Sequence, residues 1–356
     1  MTTTAELADR VFGGILGTYD TWAIYVGDKL GFYRRMRGGQ PTTADALASE
    51  TGVDPRYTRE WLEQQTVSGF ITCDNPSADP IHRHYRLDAA ATEVFTDDLS
   101  LSFLAPFVRL VTSAGVQLPS LLEAYRSGGG VSWAQFGEDM GTGQAEMNRP
   151  WFLSALASDW FPSVPDIHNR LQAEARIADI GCGQGWSSIA FAQGYPKVFV
   201  DGYDLDGPSI TSASAHAAAA GLSDRVRFHQ VDAATVDQAH TYDLVTAFEC
   251  IHDLAQPVPV LAAMRRLVKP EGHVVVMDER VGESFVGAGA GDVERLMYGF
   301  SLFTCLPDSM SHQPSAATGT VMRPATLEKY AQEAGFSGID ILPIENDLWR
   351  FYRLIA

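Results

Sequence analysis

The chain has 356 residues, 46% of them hydrophobic and 20% charged, an ordinary globular composition that argues against disorder and fibrous structure. That length allows two domains. The 44 acidic residues outweigh 26 basic ones for a net charge of −18, a field that repels phosphate backbones and anionic lipid heads. The best candidate for a membrane span, Leu99 to Val111, is too short and contains Arg109. Neither a basic start nor an apolar run follows Met1, so no signal peptide is expected. The cysteines, Cys73, Cys182, Cys250 and Cys305, lie far apart with neither zinc-type spacing nor a disulfide framework. The expectation is a soluble, cytoplasmic protein with reduced thiols, no metal and no membrane partner.

Three regions separate by pattern. The first, residues 1–96, opens on an apolar helical stretch from Ile24 to Tyr33. A second helix follows Pro41, capped by Thr42 or Thr43 and ended by Gly52. A third begins with Asp54 as N-cap and Pro55 at its first position. Phe70 to Cys73 and His84 to Leu87 read as two strands around a loop rich in Asn, Pro, Ser and Asp. Three helices and a β-ribbon make a winged helix. Its third helix carries Arg56 and Arg59, but Asp54, Glu60 and Glu63 offset them, so no basic stripe faces a DNA groove. The run Ile24 to Tyr33 is too apolar to be left exposed, which points to a homodimer interface.

Residues 97–175 read as a helical linker and pocket wall, broken at Gly128–Gly130 and at Gly141 and Gly143. Residues 176–356 alternate strand and helix. Strands are expected at Arg176–Ile180, Lys197–Tyr203, Val226–Val231, Asp243–Phe248 and His273–Met277, with closing strands at Ile339–Leu342 and Leu348–Leu354. Helices fall between them at Trp186–Gln193, Ser209–Ala220 and Val260–Val268, and a late one spans Thr326–Ala334. That rhythm predicts a doubly wound, mostly parallel α/β sheet.

The strongest local signal is the glycine loop between the first core strand and its helix: Asp179, then Gly181, Gly183 and Gly185. Glycine there permits a tight turn and close approach by a ligand. The dinucleotide fingerprint needs a glycine where Trp186 stands, and no phosphate-loop Lys follows. Asp179 also disfavours a pyrophosphate, whereas a ligand with an ammonium and no phosphate tolerates an acid there. S-adenosylmethionine is such a ligand. Asp204, with Leu205 beside it, ends the second strand and suits the ribose hydroxyls; Asp232, followed by Ala233, ends the third and suits the adenine amino group. Each acid has a second reading as a helix cap or turn former.

These residues resemble class I S-adenosylmethionine-dependent methyltransferases over Arg176 to Ala356. The run Asp179–Gly185 is similar to the family's first motif, Tyr203–Asp206 to its second, Val231–Ala233 to its third, and Tyr242–Val245 with Leu267–His273 to its fourth strand and the approach to its fifth. The N-terminal region resembles the winged-helix dimerisation domain of small-molecule O-methyltransferases and related actinobacterial enzymes. The resemblance implies a Rossmann-like sheet of seven strands with the last antiparallel, S-adenosylmethionine as cofactor, S-adenosylhomocysteine as product, and a small, fairly apolar acceptor with a hydroxyl or amine.

In the resembling enzymes a His-Asp pair follows the fourth strand, and the His takes the acceptor's proton. His252 and Asp253 stand at the matching positions. Imidazole titrates near operating pH, which suits a general base; the other reading has His252 lining the pocket or holding a carbonyl, since methyl transfer can proceed by positioning alone. Glu249 is a candidate for contact with the cofactor or an acceptor amine, or is a solvated carboxylate. Asp278, Glu279 and Arg280 end the fifth strand, where Glu279 is the candidate to face the acceptor and an ion pair is the alternative. Residues 285–320 look like a lid-like insertion whose helix, from Leu296 to Phe303, offers Tyr298 and Phe303 to an apolar pocket; Trp151 and Trp160 offer a second wall, and plain core packing is the rival reading for all four. Two further functions stay open: a ligand-sensing or DNA-binding regulator that keeps the cofactor fold, and a cofactor-bound enzyme of other chemistry.

Overall fold

A computed structural model describes residues 2–356. The chain divides into two compact units, Met1–Ser113 and Ala114–Ala356. The boundaries expected at residues 96 and 175 differ from this division: 97–113 go with the first unit and 114–175 with the second. A helix, Ala105–Val116, runs through the division, and the π-helical turn Phe152–Trp160 packs into the core of the second unit.

In the first unit a long helix, Thr4–Lys29, opens with Thr3 and Glu6 in a reciprocal capping box. The apolar stretch Ile24 to Tyr33 is not one helix. Gly31 adopts φ 73°, a left-handed turn open to glycine, and a short second helix, Phe32–Met36, starts from it. Thr43 caps the helix Ala44–Thr51 and Gly52 ends it; Asp54 caps Pro55–Val67. The ribbon is shorter than the sequence suggests: only β1 (Thr72–Cys73) and β2 (Tyr85–Arg86) pair. The amides of Phe70 and Ile71 instead bond to the carbonyl of Gln65, finishing the preceding helix. Phe32, Tyr33, Leu47, Trp61, Leu62 and Phe95 form the unit's core.

The second unit holds a seven-stranded sheet in the order β5-β4-β3-β6-β7-β9-β8. Its strands are β3 (Ala175–Ile180), β4 (Val198–Asp204), β5 (Val226–Gln230), β6 (Tyr242–Phe248), β7 (Val268–Glu279), β8 (Gly338–Ile341) and β9 (Trp349–Ile355). Pairings from β5 to β7 are parallel, and β9 runs antiparallel to both neighbours. This is the expected doubly wound α/β architecture. β7 begins earlier than expected because its pairing with β6 jumps from Val268 to His273, carrying Pro270 and Gly272 past the irregularity without a ladder bond. Alternate residues face opposite sides: Ile177, Val200, Leu244 and Val275 pack in one layer, and Ala178, Val245, Val274 and Val276 in the other. The strand order reverses between β3 and β6, so the crevice beyond their carboxyl ends is the place for a ligand. Among the described residues no helix is long and apolar enough to cross a membrane.

Candidate functional site

Five of the parallel strands, β3 to β7, deliver an acid or a glycine loop to one end of the sheet. Asp179, on β3, is 1% exposed and closed off from solvent. Its Oδ2 accepts from Ser187 and Ser188 at 2.6 Å each, and its Oδ1 from Thr246 at 2.9 Å. Burial raises the pKa of this carboxyl, and the three hydroxyls oppose that rise. Asp179 therefore clamps the start of the helix Trp186–Gly194 to β3 and β6, fixing the loop rather than offering a free acid to a ligand.

The three loop glycines all have positive φ, at 66°, 50° and 83°. Two are sterically required. A Cβ on Gly181 would lie 2.7 Å from Cys250 Sγ, and one on Gly185 2.5 Å from the ring of Phe228. Gly183 differs: the space where its Cβ would stand is open, and its amide donates to Asp204 Oδ2 at 2.8 Å. Asp204 Oδ1 accepts from the amide of Asp206 at 2.9 Å. Burial raises the pKa of Asp204, against those backbone bonds. Leu205 beside it is exposed. Asp232 is exposed at the end of β5 and caps the short turn Ala233–Thr235 through the amide of Ala234. An open glycine cradle, a carboxylate at its rim and an exposed leucine fit a nucleoside that brings hydroxyls and a flat base. Trp186, at the first turn of the next helix, stacks on His216 at 4.4 Å, a contact that adjacent positions in sequence do not announce.

The other half of the site lies beyond β6 and β7. Glu249 follows β6 with φ 51°, a conformation uncommon for a residue with a side chain. Its amide donates to the carbonyl of Met277 at 2.8 Å. Its Oε1 accepts from Trp349 Nε1 at 2.7 Å and its Oε2 from Asn148 Nδ2. Burial pushes this carboxyl up to about 7, with Trp349, His252 and Asn148 pulling the other way.

His252 is buried three residues on. Its Nδ1 stands 2.8 Å from Asp278 Oδ1, and its Nε2 stands 3.2 Å from Asp253 Oδ1. Burial favours the neutral ring, but Asp253 and Asp278 outweigh it and hold the imidazole well above its ordinary pKa. Glu279 is only 6% exposed, and its Oε2 has no hydrogen-bond donor. Burial, then the charge of Glu249, pushes its carboxyl well above the usual range. Arg280 turns away to the carbonyl of Asn346. Cys305 brings its thiol to the far side of His252, so that His252, Asp253 and Cys305 present donor atoms within 4.8 Å of one another. Burial pushes the Cys305 thiol up to about 12, which keeps it protonated.

The aromatic candidates divide. Trp151 packs edge-on against Trp349 at 5.3 Å, beside Glu249's partner. Trp160 is fully buried against Trp349 and Phe351, in the core of the sheet. Tyr298 and Phe303 are more than a third exposed, and Tyr298 pairs with Phe285 and the guanidinium of Arg323. The expected helix from Leu296 to Phe303 ends at Phe300; a π-turn, Ser301–Cys305, continues it and swings Cys305 inward. Asn148 and Trp349 carry no signal in the sequence, since each is about a hundred residues from Glu249 and only long-range packing joins them.

Methyltransferases are among the known proteins similar to this chain. A family profile described as "Methyltransferase domain" matches residues 171–315, and one described as "Rv2258c-like winged HTH domain" matches residues 21–96. A ubiquinone biosynthesis O-methyltransferase of Psychrobacter arcticus is 30% identical over 188 residues, covering 51% of this chain and 67% of that protein. The chain spans as little as 42% of the length of other curated relatives it matches. Two solved structures share the fold: PigF with SAH (TM-score 0.72, 17% identity, 100% of both chains) and human N-acetylserotonin methyltransferase in complex with SAM (TM-score 0.69, 16% identity, 100% of this chain and 99% of that one). The chain belongs to the S-adenosylmethionine-dependent methyltransferases and carries an Rv2258c-like winged-helix domain ahead of its transferase domain. Its cofactor is S-adenosylmethionine, with S-adenosylhomocysteine as the demethylated form.

Proposed function

We propose that this methyltransferase acts on a hydroxyl group of a small, fairly apolar molecule, and that it works as a cytoplasmic homodimer. The observation that carries the reading is the buried His252–Asp278 pair, 2.8 Å apart, at the carboxyl ends of β6 and β7. The relatives and fold neighbours include O-methyltransferases of small molecules.

S-adenosylmethionine, when bound, supplies a methyl carbon whose bond to sulfur breaks, leaving its electron pair on sulfur, as the acceptor oxygen bonds to that carbon. The chain's own residues do the rest. The loop Gly181, Gly183 and Gly185 and the acids Asp204 and Asp232 hold the nucleoside. In its neutral form His252 takes the hydroxyl proton at Nε2 while Asp278 orients the ring through Nδ1. Asp253, partly exposed on the loop after β6, is the partner that an acceptor hydroxyl displaces from Nε2. Glu249 and Glu279 bound the acceptor's side of the pocket.

The winged unit supports the dimer better than a DNA role. Several of its cations are paired within the unit: Arg56 with Glu60, Arg83 with Glu63 and Arg86 with Asp74. The helix Thr4–Lys29 exposes Leu7, Val11, Phe12, Ile15, Tyr19 and Trp22, an apolar stripe that a second copy would bury. All four cysteines are free thiols, which suits a reducing compartment.

The test is product analysis. The protein is incubated with S-adenosylmethionine and a panel of phenols and alcohols, and methyl ethers are sought by mass spectrometry. A methyl ether lost in His252→Ala, with S-adenosylhomocysteine affinity retained, supports the reading. A product methylated only on nitrogen or carbon overturns it.

A further inference from the structure

The pocket beyond β6 and β7 is unbalanced in charge. Glu249, Asp253, Asp278 and Glu279 converge there, and His252 is the cationic partner set among them. Three carboxylate oxygens in this group, Asp253 Oδ1, Asp278 Oδ2 and Glu279 Oε2, are buried without a hydrogen-bond donor, although Asp253 Oδ1 stands 3.2 Å from His252 Nε2. An unpaired buried acceptor costs about 1–3 kcal/mol, and more if it is charged. Glu249 is different. It is fixed on both oxygens by Trp349 and Asn148, so it remains a rigid acceptor beside Glu279 and cannot turn to relieve it.

Glu279 is therefore the informative residue. It is almost wholly buried, it sits at the end of β7, and the charges acting on its carboxyl are those of Glu249, His252, Asp278 and Asp253. A proton can neutralise it, or a ligand cation can. A group with several N–H donors and a positive charge satisfies the orphaned oxygens and offsets the excess negative charge at once. Trp349 pairs with Glu279 across β7 and β9, donates to Glu249 and packs edge-on against Trp151, and aromatic faces next to carboxylates are the chemistry that receives an ammonium.

We propose that the acceptor carries, besides the hydroxyl that is methylated, a protonated amine received by Glu279 and backed by Glu249. This rests on the reading of the site as one for a small hydroxylated acceptor, and it names that acceptor's class: an amino-phenol or amino-alcohol rather than a neutral phenol or an acid. The amine is a recognition group. Methyl transfer to oxygen proceeds as described, and the ammonium keeps its protons throughout.

The experiment uses the full chain saturated with S-adenosylhomocysteine, titrated with matched probes: tyramine against para-ethylphenol, and dopamine against ethylcatechol. In at least one pair the amine binds about tenfold or more tighter than its neutral partner. Glu279→Gln removes that preference while leaving S-adenosylhomocysteine affinity intact, with a cooperative melt showing that the variant is folded. Equal binding within every pair, including no binding by either member, overturns the proposal. So does a preference that survives Glu279→Gln. If Glu279→Gln weakens S-adenosylmethionine but not S-adenosylhomocysteine, Glu279 answers the cofactor's own cation and the proposal also fails. Methyl transfer is scored separately with the same probes. Ether formation without amine preference leaves the O-methylation reading standing and defeats this inference. Amine preference without any methyl ether does the reverse.

Discussion

His252 Nδ1 and Asp278 Oδ1 lie 2.8 Å apart with both side chains buried, and Asp253 Oδ1 lies 3.2 Å from the ring's other nitrogen. An imidazole between two carboxylates stays protonated to higher pH than a free one. A base must be neutral to act. The rate of methyl transfer to a phenol is therefore expected to rise with pH through a value above the ordinary histidine range. Asp278→Asn removes one carboxylate, so that inflection should move to lower pH. Single-turnover pH profiles of both proteins check this, and a flat profile or an unmoved inflection counts against His252 as base. His252→Ala should slow transfer by about 10²–10⁴-fold.

The stability of the fold should also depend on these acids. Glu249 titrates near 7 in the folded chain, against 4.5 for an ordinary glutamate, and Asp308 is likewise pushed up to about 7, against 3.8, by burial and by the charge of Asp253. A carboxyl whose pKa is raised on folding binds its proton more tightly in the native state. Native stability therefore falls as pH rises from about 4.5 through about 7. Thermal melts should show the midpoint falling across that window, and Asp308→Asn should reduce the fall. A midpoint that climbs steadily from pH 5 to about 7.5 contradicts the burial argument.

Asp204 holds the amides of Gly183 and Asp206 and is the candidate for the ribose. Asp204→Ala deletes the acceptor and leaves the Gly183 amide unpaired. Affinity for S-adenosylhomocysteine should drop by about 1–3 kcal/mol, roughly five- to 150-fold. Calorimetric titration reads it directly, with NAD as a control that should not bind; unaltered affinity would mean that the ribose lies elsewhere.

Gly181 has φ 66° and no room for a Cβ, which would meet Cys250 Sγ at 2.7 Å and its Cβ at 2.8 Å. Gly181→Ala should therefore cost about 1–3 kcal/mol of stability and weaken the cofactor. Gly183→Ala has strained φ but open space, so its loss should fall mainly on cofactor affinity. Denaturant melts of the two variants, with and without S-adenosylhomocysteine, separate them. Equal behaviour would show that backbone strain, not contact, governs the loop.

The exposed stripe on the helix Thr4–Lys29 carries the dimer proposal. Light scattering should give twice the chain mass for the natural protein and the single mass for Val11→Glu combined with Ile15→Glu. A monomeric natural protein, or a variant that stays dimeric, defeats that role for the helix.

Much of the cofactor half was legible in the sequence because it is local. Glycine spacing, a strand before it and a helix after it are properties of a short run of consecutive residues, and Asp204 and Asp232 end the next two strands in order. The acceptor half was legible only in its ingredients. Glu249, His252, Asp253, Asp278 and Glu279 could be singled out by position at strand ends, but not their pairings. Asp179 shows the limit within the loop itself: its position suggested a ligand contact, while Ser187, Ser188 and Thr246 take it for the fold. Tyr298 and Phe303 fitted an apolar pocket by residue type and both are partly exposed; the π-turn Ser301–Cys305 sets the facing of Phe303 and Cys305, and no periodicity announces such a turn.

The sequence by itself determined the class of fold, the glycine loop and the acids at one end of the sheet, because strand and helix periods and glycine geometry act over short stretches of chain. The tertiary structure alone decided which acids are paired and which are left over. Asn148 and Trp349 reach Glu249 from about a hundred residues away on either side, Asp278 takes His252, and Glu279 is left without a donor. Charge state and partner depend on burial and on distances of a few ångströms between strands, and those exist only once the sheet has closed its layers.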